Sequence, residues 1–362
     1  MPSKTPNPAT EAGFADASTM RTASEVLSGK SQPQHLPVVP DLLWRWLIMF
    51  LQITQVDFSF LVPLDGSHLA ESVLPAVEQL ASHCHAKVTL LHIVEQHAPT
   101  TIHGERHLTD ATSAQIYLEE IATRLRSFSP AVVIHVHEDR EDNVAQSIVD
   151  HAKEMHTDLV IMCTHGRGGL RGLLFGSIAQ QALQRGTQSI LLVQPKEDGH
   201  VPLFALHRIL VPLDGTAAHE LVLPATIRLA RTFGAEMHLV RVIPTLATLS
   251  GEQAVPGLLL PTTMRAVLDL AEQGAADYLE QIVGQCRAAG VQAKAEVLRG
   301  DAVPVVLEQA ERLHVDLIVL ASHGRAGLDA ELAGSVAPRI MGRTKCSLLL
   351  LVRAGTPGGE ST

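Results

Sequence analysis

Residues 158–177 read DLVIMCTHGRGGLRGLLFGS, and residues 316–335 read DLIVLASHGRAGLDAELAGS. In each stretch a short apolar run leads through a glycine-containing loop to a Gly-Ser pair, and a new apolar pattern with helical spacing follows. This order of strand, loop and helix is typical of α/β folds that hold an anion against a helix N-terminus. The two stretches lie 158 residues apart, so the chain contains this unit twice.

A second repeated block lies upstream of these stretches. Residues 60–67 (FLVPLDGS) recur as residues 209–216 (ILVPLDGT), and residues 87–94 (KVTLLHIV) recur as residues 236–243 (EMHLVRVI). Both pairs lie 149 residues apart, whereas the glycine-loop stretches lie 158 residues apart. The second copy therefore carries a nine-residue insertion between its second and its fourth strand. We assign the insertion to residues 246–261, which have the composition of a longer loop that leads into a helix.

Short β-branched apolar runs alternate in each copy with longer stretches of helical periodicity, which predicts βαβ crossovers and a parallel sheet. We therefore expect two tandem open α/β sandwiches, each a five-stranded parallel sheet flanked by helices. The expected strands lie at 58–64, 87–94, 131–137, 158–163 and 189–194 in the first copy, and at 208–213, 236–242, 291–298, 316–321 and 347–352 in the second. The expected helices of the first copy lie at 69–84, 110–128, 142–155 and 177–185.

The repeat divides the chain into an N-terminal extension (1–56), a first domain (57–196), a linker (197–205), a second domain (206–354) and a tail (355–362). Pro, Ser, Thr and Ala dominate the first 40 residues, which we expect to be disordered because they bury little apolar surface. The apolar run at 42–53 is shorter than the roughly 20 residues that span a bilayer. We expect this run to pack on the first domain or stay mobile, with interfacial anchoring as the alternative.

Composition narrows the function classes. The chain has 362 residues, a formal net charge of -10 and a sequence pI near 6.0, so it lacks the basic excess that a nucleic-acid partner requires. Its four scattered cysteines form no disulfide framework, which favours a reducing compartment. We expect a cytoplasmic protein with no integral membrane segment and no nucleic-acid partner.

The first strand of each copy ends in Pro-Leu-Asp-Gly, which places Asp65 and Asp214 at the carboxyl edge of the sheet, where open α/β folds bind ligands. Either carboxylate could accept hydrogen bonds from a ribose or a base. The alternative is a turn residue, because Asp-Gly is a common turn pair. Ser177 likewise fits a helix cap or a hydroxyl donor to a phosphate.

These residues and spacings resemble the universal stress protein family, whose domains begin with a strand ending in Asp and carry a G-x-x-G-x9-G-[ST] nucleotide loop. The resemblance covers residues 57–196 and 206–354. On this sequence the loop is Cys163-Thr164-His165-Gly166, nine residues and Gly176-Ser177, and then Ala321-Ser322-His323-Gly324, nine residues and Gly334-Ser335. Cys163 and Ala321 stand where the family has its first glycine.

The resemblance implies binding of ATP or a related adenine nucleotide, with or without Mg²⁺, and it assigns contact residues in each copy. In the first copy they are Asp65, Ile93, Val94, His165, Gly166, Arg167, Gly169, Gly176, Ser177 and Ile178. In the second copy they are Asp214, Gly324, Arg325, Gly334, Ser335 and Val336. The first loop carries two arginines and no acid, whereas the second sets Arg325 against Asp329 and Glu331. We therefore expect the first copy to hold the stronger site.

Other reactive side chains receive no functional assignment. His165 and His323 fit a hydrogen bond within a turn as well as a base, so neither is given a proton-transfer role and no catalytic residue is predicted. His83 and His85, like His135 and His137, have strand-like spacing but no evident third ligand, so no metal site is predicted. Cys163 is expected to be a buried structural thiol, with a redox sensor as the alternative.

The last strand of each copy is apolar and is expected at a sheet edge, where bare backbone groups favour pairing. The two edges can meet within one chain and form an internal pseudo-dimer, as the family resemblance also implies. A homodimer beyond this pairing is left open by the sequence.

Three function classes compete at this stage. The leading hypothesis is a stress-response protein that binds an adenine nucleotide as a sensor. The first alternative is an enzyme that transfers nucleotidyl groups or slowly hydrolyses ATP, although the chain lacks S-G-G-x-D-S, H-I-G-H and a carboxylate pair for Mg²⁺. The second is a scaffold of the same fold that binds no ligand.

Overall fold

A computed structural model describes residues 58–95, 101–102, 105–106, 108–129, 131–141, 143–164, 177–194, 204–249, 254–322, 336–344, 346 and 348–353. All of them belong to one structural unit, Asp57–Thr362. The extension at 1–56 and the predictions made for it lie outside the described residues, as do most of the linker and the tail.

The strands follow the repeat. Those of the first copy are β1 (Ser59–Pro63), β2 (Lys87–Glu95), the two-residue strands β3 (Thr101–Ile102) and β4 (Glu105–Arg106), β5 (Val132–Glu141), β6 (Leu159–Cys163) and β7 (Ser189–Val193). Those of the second copy are β8 (Arg208–Pro212), β9 (Glu236–Ile243), β10 (Ala293–Arg299), β11 (Leu317–Ser322) and β12 (Leu348–Arg353).

The helices alternate with these strands. The first copy has α1 (His68–Glu71), α2 (Leu74–Cys84), α3 (Ala111–Leu125), α4 (Val144–Glu154) and α5 (Ser177–Arg185). The second has α6 (Ala217–Glu220), α7 (Val222–Phe233), α8 (Ala254–Leu259), α9 (Pro261–Ala288), α10 (Ala302–Leu313) and α11 (Val336–Met341). None of the helices in the described part of the chain combines the length and apolar character needed to cross a membrane.

Ten strands form one sheet in the order β10-β9-β8-β11-β12-β7-β6-β1-β2-β5. Pairing is parallel within each half of this order and antiparallel where β7 meets β12. Helices cover the central strands, which therefore read as continuous apolar runs; the Leu61 side chain in β1 is fully buried. The outer strands β5 and β10 carry polar residues. The predicted fold of two five-stranded α/β units joined through their last strands is confirmed.

The helix expected at 69–84 is instead two helices, α1 and α2, with a turn at Ser72–Val73. Pro75 lies in the first turn of α2, where its missing N–H removes no helical hydrogen bond, so a new helix starts there. The second copy breaks in the same way between α6 and α7. The insertion predicted in the second copy becomes α8 and a 28-residue α9, which replaces the 15-residue α3.

Candidate functional site

A cleft of about 120 Å³ opens at the carboxyl edge of the first half of the sheet. The chain runs from β1 to β2 and β5 on one side and returns to β6 and β7 on the other, so the order reverses between β1 and β6. Ligands of open α/β sheets bind at such a reversal. The cleft lies there, because residues that follow β1 and residues at the end of β6 both line it.

Three predicted contact residues of the first copy line this cleft: Asp65, Ile93 and Ile178. Cys163, which stands at the family's first glycine, lines it as well. Val94 is buried but is not part of the lining. The structure therefore brings part of the predicted set together and places Val94 elsewhere.

The remaining predicted contacts lie outside the described residues. They are His165, Gly166, Arg167, Gly169 and Gly176 in the first copy and Gly324, Arg325, Gly334 and Ser335 in the second. The backbone of Ser177 begins α5, and Val336 begins α11, so a helix starts at or directly after each Gly-Ser pair.

Asp65 holds a turn with one carboxylate oxygen. Its Oδ1 accepts hydrogen bonds from the backbone N–H of Ser67 at 2.9 Å and from the Ser67 hydroxyl at 2.7 Å. The Ser67 Oγ in turn accepts the N–H of Ala70 at 3.1 Å and so caps α1. Among the described residues no hydrogen bond engages Oδ2 of Asp65. The turn-residue interpretation thus accounts for Oδ1 and does not involve Oδ2.

Asp214 holds the corresponding turn but engages both oxygens. Its Oδ1 accepts the N–H of Thr216 at 2.8 Å and the Thr216 hydroxyl at 2.7 Å. Its Oδ2 lies 2.8 Å from Nδ1 of His219. The residue of the first copy that corresponds to His219 is Ala70. Burial raises the pKa of the Asp214 carboxyl, but the Thr216 hydrogen bonds and the charge on His219 outweigh it, so the pKa falls below its usual value.

A second difference lies beside this turn. Gly215 has φ +85°, and a Cβ there would lie 2.6 Å from Nη1 of Arg241, so the guanidinium of this β9 residue covers the turn. The corresponding residue of β2 is His92, which is buried and donates its Nδ1–H to the Leu64 carbonyl oxygen at 2.8 Å. The comparison of loop charges missed Arg241, because the cation comes from a neighbouring strand. The second repeat therefore brings a positive charge to its turn from outside its loop.

Cys163 is a protonated thiol at neutral pH. Burial is the main cause that raises its pKa to about 12, against the hydrogen bond from the Ser72 hydroxyl, whose Oγ lies 3.1 Å from Sγ. A thiol attacks electrophiles and oxidants through its thiolate form. The geometry therefore favours the structural interpretation of Cys163 over a redox sensor.

The structure corrects two observations that the sequence analysis made about histidine pairs. His83 lies in the last turn of α2 and His85 ends that helix with φ 50°, so this pair has no strand spacing. The pair at His135 and His137 does lie on β5, and the structure brings a third histidine to it that the sequence did not show. His151 of α4 brings its imidazole against both. Burial, and then the charges on His151 and His137, lower the pKa of His135.

A sheet of two parallel halves, with a cleft where the strand order reverses in the first half, defines an open, doubly wound α/β protein. The sequence model of the Universal stress protein family matches residues 59–194 and 205–353. The chain belongs to the universal stress protein family.

Relatives and solved structures agree with this assignment. A universal stress protein from Mycolicibacterium smegmatis is 23% identical over 304 residues, which cover 78% of this chain and 93% of the relative. One from Methanocaldococcus jannaschii is 26% identical over 144 residues, or 40% of this chain and 81% of the relative. The crystal structure of a universal stress protein from Archaeoglobus fulgidus superposes with a TM-score of 0.58 at 15% identity, covering 82% of this chain and 98% of that chain. This last similarity establishes the fold.

Proposed function

We propose that the chain is a cytoplasmic stress-response protein that binds ATP or a related adenine nucleotide, mainly in its first repeat, and acts as a sensor. The observation that carries this proposal is the cleft at the strand-order reversal, where Asp65, Ile93 and Ile178 meet. An apolar wall beside a carboxylate whose Oδ2 has no hydrogen bond among the described residues suits a base and a ribose, which present a flat apolar face and hydroxyl donors. The two domains would span 57–196 and 206–354.

Each part of the nucleotide would be contacted by a different group of predicted contact residues. Asp65 would accept from the ribose or base through Oδ2, and Ile93 and Ile178 would pack against the base. The residues between His165 and Ser177 would hold the phosphates through backbone N–H groups and the cationic Arg167, with Mg²⁺ as a possible counter-ion. The α5 helix begins at Ser177, so its positive end directly follows these residues in the chain.

The second repeat would bind more weakly because its own side chains occupy the corresponding groups. His219 takes Oδ2 of Asp214, and Arg241 covers the turn at Gly215. A nucleotide would have to displace both contacts before it could use the carboxylate. This argument from the described residues favours the first repeat independently of the loop charges.

The proposal is tested by calorimetric titration of ATP with Mg²⁺ into the full chain. Gly176→Val and Gly334→Val are matched changes at the same position of the two loops. We expect saturable binding that Gly176→Val abolishes and Gly334→Val leaves intact. Abolition by Gly334→Val alone would move the site to the second repeat. A wild-type chain that binds no nucleotide would overturn the proposal in favour of the scaffold.

A second pair of variants tests the role of the Asp65 carboxylate. Ala70→His places in the first repeat the side chain that occupies Oδ2 in the second, and His219→Ala removes it there. We expect Ala70→His to weaken ATP binding about tenfold, since one charge-assisted hydrogen bond contributes about 1.5 kcal/mol or more. His219→Ala should leave the affinity of the first site unchanged. Equal affinity in Ala70→His and the wild type would exclude Oδ2 as a nucleotide contact.

A further inference from the structure

Three imidazoles meet on the sheet face that α4 covers. His135 and His137 project from the same face of β5 because they are two residues apart on a strand. His151 on α4 packs against both, with ring centroids 4.6 Å from His135 and 5.0 Å from His137. One nitrogen from each ring lies within 4.8 Å of the other two, and Nε2 of His151 lies 3.1 Å from Nδ1 of His137.

The hydrogen bond between His151 and His137 leaves the Nε2 atom of His135 available for a ligand. The contact between His151 and His137 needs one N–H and one lone pair, so at least one of these two rings is neutral. The buried Nε2 of His135 has no hydrogen-bond partner among the residues that the structure describes. A buried nitrogen that loses its hydration and gains no hydrogen bond is energetically unfavourable, so binding of a ligand to it would be favoured.

An acidic side chain completes the arrangement behind His151. Oε2 of Glu154 lies 3.3 Å from Nδ1 of His151, one turn along α4. A histidine that binds a metal through one nitrogen usually donates the other N–H to a carboxylate, which fixes its tautomer and orientation. Within the described residues Nδ1 of His151 makes no hydrogen bond, so Glu154 would accept its N–H only after the exposed carboxylate turns toward it. Nε2 of His151 is the nitrogen that faces His137.

The second repeat fills the same place with groups that neutralise one another. Glu296 of β10 is paired with Val240 as His135 is paired with Leu91, at the same position of the two sheets. Gln309, the eighth residue of α10 as His151 is of α4, donates to Oε2 of Glu296 at 2.7 Å. Arg312 stands where the first repeat has Glu154, and it bridges Gln309 at 2.8 Å and Glu296 at 2.5 Å.

We propose that His135, His137 and His151 bind one late first-row divalent metal ion, for which zinc is the test ion, with Glu154 orienting His151. Imidazole nitrogens suit Zn²⁺, Cu²⁺ and Ni²⁺. A tetrahedral zinc with bonds of about 2.0–2.1 Å sets its nitrogen ligands roughly 3.3 Å apart. Nδ1 of His137 and Nε2 of His151 are already 3.1 Å apart, and the metal would replace the hydrogen bond between them. The His135 nitrogen lies within 4.8 Å of both and would have to move closer. Three protein ligands leave a fourth position for water or an exogenous ligand.

This site is separate from the nucleotide cleft, and none of its three histidines lines that cleft. His137 is nevertheless paired in register with Ile93, which does line it. The metal can therefore be tested without nucleotide, and the result does not depend on the proposed function.

The test is titration of Zn²⁺ into the full, tag-free chain after removal of metal with a chelator, in competition with a zinc indicator so that only tight sites are counted. We expect one equivalent of tight binding, which His135→Gln, His137→Gln and His151→Gln each remove. His207→Gln, at an exposed histidine outside the cluster, should retain it. Circular dichroism of the metal-free variants checks that they are folded.

Glu154→Gln keeps the test decisive if a histidine variant misfolds, because the Glu154 side chain is 72% exposed and its change does not disturb the core. We expect zinc affinity to fall by about 10- to 100-fold in this variant. Replacing zinc with Co²⁺ reports the ligand atoms, and we expect a visible spectrum without sulfur-to-metal charge transfer. Tight binding that survives all three histidine changes, a cobalt–sulfur signature, or no tight equivalent in the wild type would each overturn the proposal.

Discussion

Nδ1 of His219 lies 2.8 Å from Oδ2 of Asp214, while Oδ1 of the same carboxylate holds the Thr216 turn. The lowered pKa of Asp214 means that its charged form is favoured by folding. Stability from this group is fully present above the aspartate pKa of the unfolded chain, about 3.9, and is lost as pH falls through the lower folded value.

Asp214→Asn should therefore reduce the free energy of unfolding at neutral pH and have progressively less effect below about pH 4. The amide oxygen can still accept the Thr216 hydrogen bonds, so the turn is kept and the charge alone is removed. Urea unfolding of both proteins from pH 3 to pH 7 measures the difference. A difference that stays constant over this range would contradict a lowered pKa at Asp214.

Leu350 of β12 faces Leu191 of β7 across the antiparallel pair that joins the two halves of the sheet. Both side chains are buried, so Leu350→Ala removes apolar contact on both sides of this junction. We expect a loss of about 3 kcal/mol in the free energy of unfolding, as for other buried leucines. Leu258→Ala is the control, because Leu258 is 83% exposed and should change stability by less than about 0.5 kcal/mol. Equal effects of the two changes would show that the junction contributes little.

Several elements of this architecture could be predicted because their physical signal is local. The central strands are buried on both faces, so β6 and most of β11 appear in the sequence as apolar runs. The Asp-Gly turns and the apolar last strands were likewise visible. Pro75 indicates the break between α1 and α2, but the residues on both sides of it have helical periodicity, so one continuous helix was predicted.

The parts of the site that could not be predicted depend on contacts between distant residues. His151 lies 14 residues after His137 on another element, and only the packing of α4 on β5 brings the two together. Arg241 reaches the Gly215 turn from β9, so counting charges along the loop did not find it. A search for histidines on a strand and on the helix that follows it would have found the first case, since crossover helices pack on their own sheet.

Cys163 should react slowly with alkylating reagents in the folded chain. A thiol with a pKa of about 12 is deprotonated at pH 8 in only about one molecule in ten thousand, against roughly a quarter of molecules for a free cysteine. Iodoacetamide labelling of native and urea-unfolded protein, read by peptide mass spectrometry, measures the protection at each cysteine. Rapid labelling of native Cys163 would instead favour the redox-sensor alternative.

The position occupied by Glu296 in the second repeat allows the metal proposal to be tested by transplantation. Glu296→His, Leu298→His, Gln309→His and Arg312→Glu, made together, place the groups of the first cluster at the matching positions of β10 and α10. If geometry alone creates the site, the variant should bind a second equivalent of Zn²⁺ and gain about 2.7 kcal/mol of stability at a hundredfold excess over its dissociation constant. The same four changes in a His151→Gln background should give one equivalent, now in the second repeat. A folded variant that still binds a single zinc would show that the strand and helix positions do not suffice, and that the surroundings of His135, His137 and His151 select the metal.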